Sequence, residues 1–329
     1  MFLSIGRGKI PFFVVFPGRI NSITQISARR NSFRAVLRVL FCRKKTLIVE
    51  SGFFAGKNDK KRAKNAEKSC CKNIKNAFKV IAVVFLIMLL LTRIVRIINP
   101  TLKIYFIDVG QGDSTLIVTP KNKKILIDGG EGKTNVLFQY LLDRRINKID
   151  YIIISHFDSD HCNGLIEIIE KMRVENIVMS KQSKESEEYK KILEIIKQKN
   201  IKVSSVKAED KIIIEKNLYT KILNPAEKFE FQDLNNNAIV AKLVYKNFSM
   251  LFTGDIEKAE ENLAKKYKNE LKSTILKVAH HGSKTSTSEE FLKYVEPQIA
   301  LIGVGENNKF GHPNQITIEK LKNIRSQNI

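Results

Sequence analysis

Within six consecutive residues, His156-Phe157-Asp158-Ser159-Asp160-His161, the chain offers four side chains able to hold a divalent cation. Imidazole and carboxylate are the groups that bind borderline and hard cations. They follow the apolar run Tyr151-Ile152-Ile153-Ile154, which predicts a buried strand ending at Ser155. A loop at the end of a strand is where a scaffold can aim several ligands at one point. The chain has five histidines, and none precedes residue 156. A residue type this scarce and this placed points to metal chemistry rather than to polar caps at a strand end.

Three further clusters have the same form. Met250-Leu251-Phe252-Thr253-Gly254-Asp255 is a buried strand ending in glycine and a carboxylate, although Asp255 alone would read as a helix cap. Leu276-Lys277-Val278-Ala279-His280-His281-Gly282-Ser283 ends a third strand in two imidazoles. After the strand 299–303, a glycine- and asparagine-rich loop presents His312. Four strand ends offering Asp or His are what a one- or two-metal hydrolase requires. Ser283, Lys284 and Asn308 stand beside these clusters as candidate substrate contacts, with helix capping the competing role for the residues after His281. Cys162 reads as a small packing residue, and no disulfide framework emerges from the cysteines.

The elements that must position these groups follow from apolar periodicity. Strands are predicted at 102–108, 114–118, 124–127, 150–154, 201–205, 211–214, 219–223, 238–246 and 249–253. Helices are predicted at 135–144, 163–171, 186–199, 256–267 and 315–325. Runs of strands with interspersed helices predict an α+β fold of two sheets faced by helices.

Charge divides the chain unevenly. Residues 1–100 hold 21 Lys+Arg against 3 Asp+Glu, and residues 101–329 hold 36 against 31. Most of the basic excess therefore lies outside the region with the metal-capable clusters. It bears on membrane topology before it bears on substrate. Val80 to Thr92 is an uncharged apolar run, and residues 77–98 are predicted as a single transmembrane anchor. Lys57, Lys60, Lys61, Arg62, Lys64, Lys68, Lys72, Lys75 and Lys79 precede it, so the positive-inside rule places residues 101–329 on the outer, extracellular face. Residues 1–76 are expected to be a basic, disordered segment.

Six motifs in order give a resemblance. They are Phe106-Ile107-Asp108-Val109-Gly110-Gln111-Gly112-Asp113-Ser114, Ile127-Asp128-Gly129-Gly130, the His156–His161 run, Thr253-Gly254-Asp255-Ile256, His280-His281-Gly282-Ser283 and Gly311-His312-Pro313. From about 101 to 315 the chain resembles the metallo-β-lactamase superfamily. Within it, the chain is most similar to the ComEC-like hydrolase domains of competence DNA-uptake proteins. The resemblance implies an αββα sandwich with the metal site at one edge, between the sheets. It implies metal ligands among His156, Asp158, Asp160, His161, Asp255, His280, His281 and His312, with Asp255 bridging and Asp158 standing where the wider superfamily has histidine. Asp113 and Asp128 are motif residues of structural kind, and Asp158, Asp160 and His281 are the candidate catalytic residues. The superfamily's middle histidine is absent, and Asn235-Asn236-Asn237 stands roughly where it would lie. An oxygen-rich set of this kind suits Mn²⁺ or Mg²⁺ better than a three-histidine zinc centre does, so the expected cofactor is one or two ions of Mn²⁺, Mg²⁺ or Zn²⁺.

The reaction implied is metal-assisted hydrolysis, with DNA, single-stranded above all, as the expected substrate. A hydrolase of a small ester, lactone or nucleotide is the second reading, which the near-balanced charge of residues 101–329 allows. A non-catalytic binding module with a degenerate site is the third. Two departures from ComEC-like transporters stand out: one predicted anchor in place of many, and an end at Ile329 before the closing strand that the resemblance implies. A truncated domain is the expectation.

Overall fold

The computed structural model describes residues 2–5, 13–16, 19–20, 76–94 and 101–324. Three short strands come first: β1 (Phe2–Ile5), β2 (Phe13–Phe16) and β3 (Arg19–Ile20). Helix α1 (Asn76–Ile94) follows. Next come β4 (Lys103–Phe106), β5 (Thr115–Val118), β6 (Lys124–Ile127), α2 (Val136–Asp143), β7 (Lys148–Ile153), α3 (Ser159–Lys171), β8 (Arg173–Met179), α4 (Glu187–Gln198) and β9 (Lys202–Ser205). The second half holds β10 (Lys211–Glu215), β11 (Leu218–Asn224), β12 (Val240–Tyr245), β13 (Phe248–Phe252), α5 (Ala259–Tyr267), β14 (Ile275–Lys277), α6 (Glu289–Val295), β15 (Ile299–Ile302) and α7 (Gln315–Asn323).

The chain divides into two compact units, residues 1–24 with 101–329, and residues 25–100. In the first unit the strands form two sheets, ordered β1-β4-β5-β6-β7-β8-β9 and β10-β11-β12-β13-β14-β15-β2-β3. Strand pleating explains the layering. Successive side chains point to opposite faces, so a strand covered on both faces must be apolar throughout. In β6, Ile125 and Ile127 enter the core between the sheets while Leu126 joins the core under α2, α3 and α4. In β13, Met250 and Phe252 face the inter-sheet core and Leu251 faces the core under α5, α6 and α7. The result is helix, sheet, sheet, helix, as expected for an α+β sandwich.

Five elements went unforeseen. Strands β1, β2 and β3 fall within the segment expected to be disordered, and they pair into the two sheets. The Glu175-Asn176 pair interrupts the apolar run of β8, yet Val174, Ile177 and Val178 are buried on its two faces. Helix α6 is too short to show a helical period, although Ser288 caps it by accepting from the Phe291 amide. Strand β15 pairs with β2 in antiparallel register, Ala300 with Val15 and Ile302 with Phe13. Residues 21–75, most of the segment expected to be disordered, lie outside the described residues.

Helix α1 has 19 residues and is long and apolar enough to cross a membrane by length and composition. Its apolar side chains are exposed, Phe85 at 59% and Leu90 at 54%. The last four residues of the predicted anchor, 95–98, lie outside the described residues.

Candidate metal centre

Strands β6, β7 and β8 run parallel in one sheet and β13, β14 and β15 in the other. Residues just beyond their carboxyl ends meet at one edge, where open parallel sheets present ligand sites. Asp128 follows β6, Ser155 and His156 follow β7, Asp255 follows β13, His280 and His281 follow β14, and Gly303 follows β15. The run from His156 to His161, expected as a loop, is half helix. Asp158 occupies the N-cap position of α3, and Asp160 and His161 lie in its first turn. A carboxylate there is favoured by the helix dipole. Gly112 seats a neighbouring loop against this turn: its φ is +109°, and a Cβ would lie 1.9 Å from the Asp160 carbonyl oxygen. The adjacent Asp113 amide donates to that oxygen at 3.2 Å.

Four groups converge. His161 Nε2 lies 3.2 Å from Asp255 Oδ1 and 3.3 Å from His281 Nε2. His281 Nε2 lies 3.3 Å from Asp255 Oδ2 and 3.2 Å from Asp160 Oδ2. Both imidazoles are held from behind, His161 Nδ1 by Asp128 Oδ2 at 2.9 Å and His281 Nδ1 by the Gly303 carbonyl at 2.7 Å. A carboxylate and a carbonyl only accept, so each Nδ1 carries hydrogen, and in the neutral ring the lone pair sits on Nε2. Two nitrogen lone pairs and two carboxylates aimed at one point form a donor set that fits a divalent cation. His281 reaches its place through a sharp turn in which His280 and His281 both adopt left-handed backbone, at φ +45° and +51°.

A second half-site adjoins the first. Ser155 Oγ donates to Asp128 Oδ2 at 2.7 Å, so it accepts from His156 Nδ1 at 3.0 Å. His156 Nε2 then bears a lone pair, is buried, and has no hydrogen-bond partner. It faces Asp158 Oδ2 at 3.6 Å. The adjacent His156 ring, with Lys184 adding to it and burial opposing, holds the Asp158 carboxyl down at about 2. A fully buried imidazole nitrogen without a partner is rare, and a cation held there would satisfy it.

The description Metallo-beta-lactamase superfamily matches residues 107–306. The chain belongs to that superfamily. It is similar to ComE operon protein 3 of Bacillus subtilis, 30% identical over 234 residues, which are 66% of this chain and 30% of that protein. It is similar to Recombination protein 2 of Haemophilus influenzae, 29% identical over 280 residues, 81% of this chain and 33% of that protein. Competence protein ComA of Neisseria gonorrhoeae is 29% identical over 219 residues, 65% of this chain and 29% of its own length. These relatives are ComEC-like competence proteins, and the chain spans a third or less of each.

Other residues singled out in this metallo-beta-lactamase superfamily chain surround the cluster. His280 turns away from His281, its Nδ1 2.8 Å from Glu257 Oε1 and its Nε2 3.9 Å from Asp255 Oδ2. His312 lies beside His280, with ring centroids 5.6 Å apart, and its Nδ1 is buried without a partner. Ser283 is buried and shares its hydroxyl with Thr285, while Lys284 is exposed. Asn308 braces its own loop: its amide donates to the Gly305 and His312 carbonyls and accepts from the Phe310 and His312 amides. Asn236 accepts from the Glu257 and Ala259 amides at the start of α5, and Asn237 donates to the Phe231 and Asp233 carbonyls. That asparagine run, where a middle histidine was sought, therefore serves the backbone.

Two lysines were not foreseen. Alternation along β14 sends Ile275 and Lys277 between the sheets and Leu276 outward. The buried Lys277 ammonium pairs with Asp113, donates to the Gly254 carbonyl at 3.2 Å and lies 3.6 Å from Asp255 Oδ1. Asp113, His161, Asp255 and His281 all offer atoms within 4.8 Å of one another, but the Asp113 carboxylate is engaged by this lysine. Lys184, on the loop between β8 and α4, donates to Asp158 Oδ1 at 2.7 Å. A lysine inside an apolar strand is a readable signal; nothing in the sequence around Lys184 marks it.

Proposed function

We propose that the chain is a metal-dependent phosphodiesterase that acts on DNA and is held at a membrane by α1. The observation that carries this reading is the convergence of His161 Nε2, His281 Nε2, Asp160 and Asp255, with the ring tautomers fixed by Asp128 and Gly303. Those four residues would hold one ion. His156 and Asp158, with Asp255 shared, would hold a second. Carboxylates match imidazoles three to three in this combined set, an oxygen share larger than that of a three-histidine zinc centre, which favours Mn²⁺ or Mg²⁺ over Zn²⁺. A divalent cation bound there supplies Lewis acidity and acidifies water.

The residues themselves do the rest. Ser155 and Asp128 lock the imidazoles so that their lone pairs face inward. Asp158, whose side chain is one-third exposed, is placed to orient the attacking water. The relatives' names, competence protein and recombination protein, make DNA the substrate to test first. By the positive-inside rule, the basic residues before α1 support an outer-face position for the hydrolase unit. A reporter that is active only outside the cytoplasm, fused after Ile329, should be active; a silent fusion that is expressed at the normal level rejects that orientation.

The deciding experiment is cleavage of labelled single- and double-stranded DNA by the detergent-solubilised full chain, with Mn²⁺, Mg²⁺ or Zn²⁺ and with Asp160→Ala as control. Metal-dependent cleavage that is lost in the variant supports the reading and names the cation. Metal binding without DNA cleavage favours a hydrolase of small esters, lactones or nucleotides. If no metal binds, the non-catalytic module is favoured.

A further inference from the structure

Two lysines pair with motif carboxylates among the described residues, and their surroundings give them opposite capacities. Lys277 is 4% exposed, and Asp113, the Gly254 carbonyl and the nearby Asp255 carboxylate surround its ammonium. Exchanging those partners would strand a buried charge, so Lys277 is fixed. Lys184 is 31% exposed and its partner Asp158 is 34% exposed. An ion pair at that level of solvation contributes little, because water and salt screen it and both side chains lose freedom to form it. Lys184 can therefore trade the Asp158 oxygen for another anion at almost no cost.

The loop that carries Lys184 is anchored on both sides. Two residues before it, the buried Gln182 donates to the Leu234 carbonyl at 2.7 Å. Two residues after it, Ser186 caps α4 by accepting from the Tyr189 amide. The Tyr189 ring meets Phe157 edge-on at 4.7 Å, which ties the start of α4 to the residue between His156 and Asp158. Lys184 is thus a mobile ammonium on a fixed base, one carboxylate away from the orphaned His156 nitrogen.

Resting on the phosphodiesterase reading above, we propose that Lys184 is a substrate-binding residue. Its ammonium leaves Asp158 to take a non-bridging oxygen of the phosphodiester at the metal centre. In the resting chain Asp158 parks the ammonium at the rim. When substrate enters, the phosphate accepts the charge-assisted hydrogen bond and Asp158 is released.

The test is steady-state cleavage of a single-stranded oligonucleotide by the full chain and by Lys184→Gln and Lys184→Arg, at several salt concentrations, with bound metal measured after dialysis. In Lys184→Gln, KM should rise about tenfold or more, as expected for the loss of one hydrogen bond to a charged group. The salt dependence of log KM should become shallower by about 0.7, the value for one phosphate contact on a single strand. Metal content should stay at the wild-type value, and Lys184→Arg should recover most of the KM. If the wild type cleaves and Lys184→Gln keeps its KM and salt slope, the Lys184 assignment is overturned and the phosphodiesterase reading stands. If Lys184→Gln loses metal instead, the lysine serves the metal loop and the assignment is again overturned. If the wild type cleaves nothing with any cation, both fall.

Discussion

The Nε2 atoms of His161 and His281 face each other across 3.3 Å, each ring held from behind through its Nδ1. Two lone pairs that close repel unless positive charge lies between them, and Asp160 and Asp255 beside them add to the demand. Burial alone would lower the His281 pKa, but Asp255, Asp113 and Asp160 override it and push it up to about 10. Asp255 and Asp128 likewise raise His161 against the effect of its burial. At neutral pH a metal ion must therefore displace protons.

Apparent metal affinity is then expected to climb with pH throughout the range below about 10, by about tenfold per pH unit for each proton released. Competition between the full chain and a fluorescent chelator for Mn²⁺ at pH 6, 7 and 8 measures this directly. An affinity independent of pH over that range would contradict the assignment of these two imidazoles as ligands.

Asp128 makes no contact with the converging Nε2 atoms, yet three donors depend on it: the Ser155 amide at 2.8 Å, the Ser155 hydroxyl and His161 Nδ1. In Asp128→Asn an amide NH₂ would replace one acceptor and confront a donor. The His161 ring would lose the group that fixes its tautomer. Metal affinity is expected to fall roughly 10–100-fold, the usual cost of losing a partner behind a liganding histidine. The same chelator titration checks it. Ser155→Ala should give a smaller loss, confined to the half-site of His156.

The strand ends bearing Asp255 and His281 were legible because rare, chemically capable residues follow runs that can only be buried strands. The layering was legible for the same reason, since apolar residues on both faces of a strand demand cover on both. Apolar periodicity starts α3 at residue 163, yet Asp158 and Ser159 are strong helix-start residues and the helix begins at Ser159. Expecting a ligand loop outweighed that signal. Lys184 was beyond reach, because its partner lies 26 residues away and the pairing follows from how β8 returns alongside β7. The asparagine run was misleading in a different way. Its amides resemble replacement ligands, but the backbone amides at the start of α5 and the Phe231 carbonyl engage them.

Lys277 and Asp113 form a buried pair, and removing one member of such a pair leaves an uncompensated charge. Lys277→Met keeps most of the side-chain volume and strands the Asp113 carboxylate between two sheets. Urea unfolding should show a loss of about 3–5 kcal/mol. Adding Asp113→Asn should recover a large share, since a neutral pair no longer carries the desolvation cost of the lone anion. Strict additivity of the two substitutions would mean that the pair contributes no coupling.

Glu260 on α5 gives the fold its own pH dependence. Its carboxylate is buried and accepts from the Thr287 and Ser288 amides at 2.6 and 2.7 Å, pinning the segment that leads from His281 into α6. Burial raises its pKa from 4.5 to about 7, more than the two amides, which favour the anion, can reverse. The native chain therefore holds this proton more tightly than the unfolded chain does. The stability it contributes is fully present below pH 4.5 and is lost as pH rises towards 7. A shift of this size corresponds to about 3 kcal/mol. Urea unfolding at pH 5 and pH 7.5 should show wild type losing about 2 kcal/mol more between the two conditions than Glu260→Gln, which cannot titrate. Equal losses in the two proteins would mean that the backbone amides, and not burial, set the charge state of Glu260.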